Sequence, residues 1–318
     1  MRAMPRLVPF ALAAGLSSAV LHLSTEWSLL GALFFALAAP LPLFAVGLGL
    51  GLTAAVVAAV TATTAVGFAA GWPRAGLYAV TDAVLVVGVV RFALLNRPTT
   101  DGGMEWYPPG LMLAWLTLYG AAAFVGLALM LGSGEQGLEA SLASFLDGFR
   151  QALAGAGQDN PAAERVLATL KRVIPSLVVG WWIIIMAVNA VLAQKLLVRT
   201  GHSLRPSPDL AAVAPPAWLL AVAVAAAAVA LVGSGWLGFV ATNGALILCV
   251  PYLLTGLAVV HAISGRWNGR LAILIAMYLL LLLFGWLLIV VAGLGMVEHW
   301  AGLRQRFAGP GSRNERNE

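Results

Sequence analysis

From Trp27 to Pro73 the chain carries forty-seven consecutive residues without an Asp, Glu, Lys, Arg or His. A helix crosses the hydrocarbon core of a bilayer with about 20 apolar residues, so this block crosses about twice or lies inside a much larger apolar mass. Comparable runs recur towards the C-terminus. A membrane barrel would read as alternating segments of about ten residues, whereas these blocks are continuously apolar. A helix satisfies its backbone hydrogen bonds within one segment and needs no partner strand. The chain therefore reads as an all-α protein, a polytopic transmembrane helical bundle of about 8–9 spans with one amphipathic insertion outside the membrane.

Composition agrees. Hydrophobic residues make up 61% of the chain and charged ones 10%, against about 45–50% and about 25% in soluble domains. A water-soluble fold of this size could not cover its surface. The net charge of +5 does not point to nucleic acid, because the eighteen basic residues are spread over short loops and the tail, as positive-inside sorting requires. Cys249 is the single cysteine, so one copy can build neither a disulfide nor a cysteine metal site. Arg2 and Arg6 ahead of Leu7–Leu23, with Ala11, Ala13 and Ala14, have the outline of a signal peptide, but an uncleaved first span explains the same pattern.

The first span is Leu7–Leu23, closed by His22, Ser24, Thr25 and Glu26. Pro40 and Pro42 divide the uncharged block into Trp27–Ala39 and Leu43–Ala70. Thirteen residues reach only about 20 Å, so the first piece is a half-helix or takes both prolines into a kinked span. Further spans follow at Gly76–Leu95, Pro109–Leu131, Ile174–Leu197, Pro215–Val232, Trp236–Ile263 and Leu271–Val297. The organisation is N-terminal transmembrane helices over 1–131, a polar insertion with amphipathic helices over 132–172, C-terminal transmembrane helices over 173–300, and a polar tail over 301–318 expected to be disordered. Counting Lys and Arg groups Arg91/Arg97, Lys195/Arg199/Arg205 and Arg266/Arg270 on one side, taken as the cytoplasm. Arg304, Arg306, Arg313 and Arg316 then fall on the other side, a conflict that one re-entrant segment after Pro215 would remove.

Within the insertion Leu138, Leu142, Phe145, Leu146, Phe149 and Leu153 recur at helical spacing, with Glu139, Asp147 and Arg150 elsewhere on the wheel. This is an amphipathic helix at the interface or over the bundle, or a helical connector; Asn160-Pro161 opens a second helix. Small residues repeat every fourth position at Gly47, Gly51, Ala55, Ala59, Thr63, Gly67 and Gly71. Such a stripe lets another helix approach closely, and packing within the chain is the preferred reading over a dimer contact.

Function has to be sought in polar groups at membrane depth, which are costly and are either paired or functional. Asp82 lies near the start of its span, where a carboxylate at a helix N-terminus is one reading and a substrate or ion ligand the other. Arg91 is about half a turn away around the helix and roughly 13 Å along it, so the two do not pair; Arg91 reads as a snorkelling residue. Asn189 and Gln194 lie in one later span, and Asn243, Pro251, Tyr252, Thr255 and His261 in another. Asn243 reads first as a hydrogen bond between helices. Pro251 removes a ladder donor and frees a carbonyl beside Tyr252, which makes that turn the best candidate for a lined cavity. Asp82, Asn243 and Tyr252 are the candidate substrate-binding residues, and Pro40, Pro42 and Pro251 the candidate kinks. No GxSxG, HExxH, Walker loop or CxxC occurs, and His22, His202, His261 and His299 have no metal-ligand spacing. No enzyme activity, metal or cofactor is expected.

Three stretches together resemble the YybS-like family of bacterial membrane proteins (domain of unknown function 2232): APLPLFAVGLGLG at Ala39–Gly51, NGALILCVPYLLTGLAVVHA at Asn243–Ala262 and GLGMVEHWAGLRQRF at Gly293–Phe307. That family is similar in its N-terminal helices to the substrate-binding S components of energy-coupling-factor vitamin transporters. The resemblance implies a protein of the bacterial cytoplasmic (inner) membrane. It raises small-solute, vitamin-like binding or transport, with an energising transporter subunit or other membrane protein as partner besides the lipid bilayer. The additional spans and the insertion depart from the usual six-helix S component. The alternative is a non-transporting membrane scaffold or assembly factor, which predicts a tight bundle whose polar residues are locally satisfied.

Overall fold

The computed structural model describes residues 4–24, 35–132, 137–138, 140–144, 146–147, 161–210, 213–265, 267 and 269–307. Thr25, Glu26, most of the Trp27–Ala39 piece, Glu139, Phe145, Phe149, Arg150, Leu153, Asn160, Arg266 and the tail from Ala308 lie outside the described residues.

Within them the chain is almost entirely helical. The helices are α1 (Met4–Leu23), α2 (Pro40–Leu50), α3 (Leu52–Ala70), α4 (Trp72–Ala93), α5 (Pro109–Leu131), α6 (Pro161–Arg199), α7 (Ala217–Val232), α8 (Gly235–Leu248), α9 (Val250–Ser264), α10 (Arg270–Leu283), α11 (Leu287–Ala301) and the short α12 (Leu303–Phe307). A small antiparallel hairpin, β1 (Asn96–Pro98) and β2 (Met104–Trp106), joins α4 to α5 with Arg97 opposite Glu105. By length and composition, five helical stretches among the described residues can cross a membrane: Leu52–Ala70, Trp72–Ala93, Pro109–Leu131, Thr169–Arg199 and Gly235–Ser264. Shorter apolar helices accompany them at Leu7–Leu23, Pro40–Leu50, Ala217–Val232, Arg270–Leu283 and Leu287–Ala301.

Two stretches expected to be continuous are broken. Leu43–Ala70 divides at Gly51, whose φ of 101° suits a residue without Cβ and separates α2 from α3. Pro40 is the first residue of α2, after a turn at Ala39. Trp236–Ile263 stays within the single stretch Gly235–Ser264; a turn at Cys249 marks the boundary of α8 and α9, helical bonds run through it from Cys249 to Ala245 and from Leu253 to Cys249, and Pro251 is the second residue of α9. Leu271–Val297 is two helices, because the chain leaves helical geometry between Phe284 and Trp286.

Contact clustering divides the chain into two compact units. The first comprises Met1–Met112 and Ile184–Asp209. Its core is built from small residues: α1 lies so close to α3 that a Cβ on Gly15 would sit 2.5 Å from the Ala58 carbonyl oxygen. Gly47 packs on Val90 and Ala55, and Gly67 on the Trp72 ring. The small-residue stripe thus serves packing within the chain, where close backbone approach supplies van der Waals contact.

The second unit comprises Leu113–Ile183 and Leu210–Glu318. Its core gathers Ala114, Leu219, Leu220, Ala223, Leu248, Tyr252 and Ala292. Helices α9 and α11 touch backbone to backbone, Gly256 against the Val291 carbonyl and Gly295 against that of Tyr252. Rising numbers on one helix meet falling numbers on the other, so the pair is antiparallel. No described residue of α10 is buried. Of the insertion, Leu146 is buried, Ser141 and Ser144 are exposed, and Asp147 pairs with Lys171 at 2.8 Å.

Candidate functional site

Asp82 belongs to the first unit, and Asn243 and Tyr252 to the second. The three residues live in different local chemistry.

In α4 the regular ladder gives way to a π-helical turn at Ala79–Ala83 that contains Asp82. Such turns add a residue to the helix and re-aim side chains, and they recur at functional sites. The Asp82 side chain is buried, 7% exposed. Its Oδ2 lies 2.6 Å from Thr81 Oγ1, which also lies 3.0 Å from the Leu77 carbonyl oxygen. A hydroxyl has one proton to give, so carbonyl and carboxylate compete for it. Among the described residues no Lys, Arg or His forms an ion pair with the carboxylate. One turn earlier Tyr78 is fully buried, its hydroxyl 2.6 Å from Ser18 Oγ and its ring edge-on to His22 at 4.8 Å. Ser18 gives its proton to the Ala39 carbonyl at 2.6 Å, which leaves Tyr78 as the donor to Ser18. The triad Tyr78, Ser18 and Ala39 ties α4 to α1 and to the turn before α2. The sequence reading passed over Ser18 and Tyr78, since a serine and a tyrosine sixty residues apart carry no spacing signal. Arg91 is exposed, as snorkelling requires.

In the second unit Asn243 is fully buried and its amide is used on both sides. Oδ1 accepts from the Ser176 backbone N–H at 3.0 Å, while Nδ2 donates to the carbonyls of Arg172 at 2.8 Å and Phe239 at 2.9 Å. Tyr252 is 1% exposed in the apolar cluster of Leu219, Leu248 and Ala292, and its hydroxyl has no hydrogen-bond partner among the described residues. Thr255 donates to the Pro251 carbonyl at 2.9 Å.

Other buried polar groups serve the packing. Asn189 donates to the carbonyls of Leu37 and Ile185, both at 2.8 Å. Glu298 and Arg304 form an ion pair at 2.9 Å with side chains only 6% and 13% exposed. Arg304 also donates to the Val213 carbonyl at 3.0 Å, so within the second unit the end of α11 adjoins the segment leading into α7. Gln194 donates to the Arg205 carbonyl at 2.7 Å, and Arg205 to that of Ala93 at 2.9 Å. Burial pushes the Arg205 guanidinium below its ordinary range. Among the described residues no group of three or more His, Cys, Asp or Glu could hold a metal ion.

No curated protein and no solved structure gives a significant match to the chain. A family model does: it matches residues 16–298, which take in every helix from the middle of α1 to the last turn of α11, and the chain therefore belongs to the DUF2232 family of predicted membrane proteins.

Proposed function

We propose that this membrane protein binds or transports a small solute, and that Asp82 is the charged group of its site. The observation that carries the reading is a carboxylate in the middle of the membrane-length stretch Trp72–Ala93, buried in a π-helical turn and without a cationic partner among the described residues. An ionised carboxylate is expensive in that environment, and a proton or a cationic group of a solute offsets the cost. The side chain can then hold a solute's ammonium group or carry a coupling proton. The family resemblance read from the sequence, with its similarity to vitamin-binding S components, favours the same unit as the place of binding, and an energising subunit or an ion gradient as the source of work. About eight or nine spans in a bacterial inner membrane follow if the shorter apolar helices complete crossings with their neighbours.

The test is a thermal-stability screen of the purified protein against water-soluble vitamins, amines and monovalent cations. A ligand at about 100 times its dissociation constant adds roughly 2.7 kcal/mol. The reading requires a stabilising compound whose effect is abolished in Asp82→Asn while the unliganded protein stays folded. A broad screen without a response, or a response unchanged in Asp82→Asn, removes it. The scaffold reading would then stand, favoured by Asn243, whose amide is spent entirely on neighbouring backbone.

A further inference from the structure

Two acceptors stand against one proton at the π-helical turn of α4. Thr81 Oγ1 lies 2.6 Å from Asp82 Oδ2 and 3.0 Å from the Leu77 carbonyl oxygen, and both separations are those of O–H···O bonds. A hydroxyl has a single proton. With Asp82 ionised, one of the two contacts is left without a proton or both share one. With Asp82 protonated the count closes: Oδ2–H donates to Thr81 Oγ1, and Thr81 donates to the Leu77 carbonyl.

The surroundings offer an ionised carboxylate little else. Among the described residues no second donor reaches the Asp82 side chain, whereas a carboxylate held ionised by its neighbours accepts about two or three N–H bonds. The Tyr78 hydroxyl, one turn earlier, is spent on Ser18. The π turn packs against α2 and α3, and both lie inside the uncharged block, so neither brings a titratable group. Helix α1 brings His22, which sits on the Tyr78 ring, and Arg6 towards its start. Helix α4 itself carries Arg74 and Arg91, and the part of α6 in this unit carries Lys195 and Arg199. Among the described residues none of these pairs with the Asp82 carboxyl.

We infer, resting on the solute-binding function proposed above, that the ion carried at Asp82 is a proton, held as a neutral carboxylic acid that donates to Thr81. On release the Oδ2–H bond breaks and the proton passes to water. The Thr81 hydroxyl then turns from the Leu77 carbonyl to Oδ2, so the charge of the site is relayed to the backbone of its own turn.

The test needs no solute and uses the full wild-type chain in liposomes of zwitterionic lipid, with ¹³C-aspartate and ¹⁵N-alanine. The chain has five aspartates, Asp82, Asp101, Asp147, Asp159 and Asp209, and only Asp82 is followed by an alanine. The Asp82–Ala83 pair therefore assigns the Asp82 carboxyl in solid-state NMR without any variant. At neutral pH its ¹³Cγ signal should stand at the neutral-acid position while Asp101, in the exposed turn of the hairpin, stands at the carboxylate position. Raising the pH should carry Asp82 to the carboxylate position. Replacing choline by sodium or potassium at neutral pH should leave it unmoved. A carboxylate signal from Asp82 at neutral pH, or one driven there by sodium or potassium, overturns the proposal and makes a metal cation or a charged solute the occupant. An empty solute screen leaves the acid signal in place, and an ionised Asp82 leaves the result of the screen in place, so the two failures are told apart.

Discussion

Asn243 is spliced into the hydrogen-bond ladder of another helix: its Oδ1 takes the backbone N–H of Ser176 and its Nδ2 the carbonyl of Arg172. Those two backbone groups are four residues apart, the pair that an uninterrupted helix joins directly. Pro175 lies between them inside α6, and proline disturbs the ladder around it through its ring and its missing N–H. The amide of Asn243 serves as a substitute peptide group at that point and locks α8 onto α6.

Replacing Asn243 with Leu leaves the disturbed turn of α6 facing an apolar side chain. Thermal unfolding in a mild detergent should show a loss of about 1–3 kcal/mol, with Asn243→Gln intermediate. An unchanged midpoint in Asn243→Leu would mean that Ser176 and Arg172 close the ladder without help.

Gly256 and Gly295 are where α9 and α11 touch, and a Cβ on either runs into the carbonyl of the facing helix. Neither backbone can retreat as a side chain would. Gly256→Val and Gly295→Val should each lower stability by about 1–3 kcal/mol through overpacking. The double variant should lose less than the sum, because the first substitution already separates the helices. Additive losses would place the two glycines in independent contacts.

Glu298 and Arg304 are paired where neither is well solvated. Glu298→Gln strands a buried guanidinium and should cost about 3–5 kcal/mol. Glu298→Gln combined with Arg304→Met removes the stranded charge and should recover much of the loss, as measured by the unfolding midpoint of the two proteins side by side. A double variant no better than the single one would show that Arg304 acts chiefly through the Val213 carbonyl.

Across the hairpin, the Arg97 guanidinium holds the Glu105 carboxyl below its usual range, and Glu105 raises Arg97 in return. A depressed carboxylate contributes stability above its unfolded pKa and loses it as pH falls through the folded value. The Glu105 carboxyl carbon, followed by NMR with selective labelling, should therefore titrate at more acid pH than in Arg97→Gln. Both side chains are solvated, so the midpoint of unfolding should barely move with this substitution.

What the sequence determined by itself is the solvent. Forty-seven residues without a charge admit no aqueous surface, and in lipid the backbone has to bond within each segment, so membrane helices follow from composition before any contact is known. Helix ends marked by nearby charge were legible to within two residues, as at Ala93 ahead of Arg97 and at Arg199. The internal breaks were not. Gly47, Gly49 and Gly51 look alike in a run, and only packing against Val90, Leu197 and the following helix decides that Gly51 takes the positive φ.

Tertiary structure alone decided which polar groups are spent. Asn243 and Tyr252 stood together as candidate ligands, nine residues apart in one apolar stretch. The fold saturates the first with backbone groups of α6 and leaves the hydroxyl of the second without a partner among the described residues. Ser18 meets Tyr78, and Arg205 meets Ala93, across sixty and more than a hundred residues. A hydrogen bond requires atoms within about 3 Å and aligned, and no periodicity along a chain encodes that for residues so far apart.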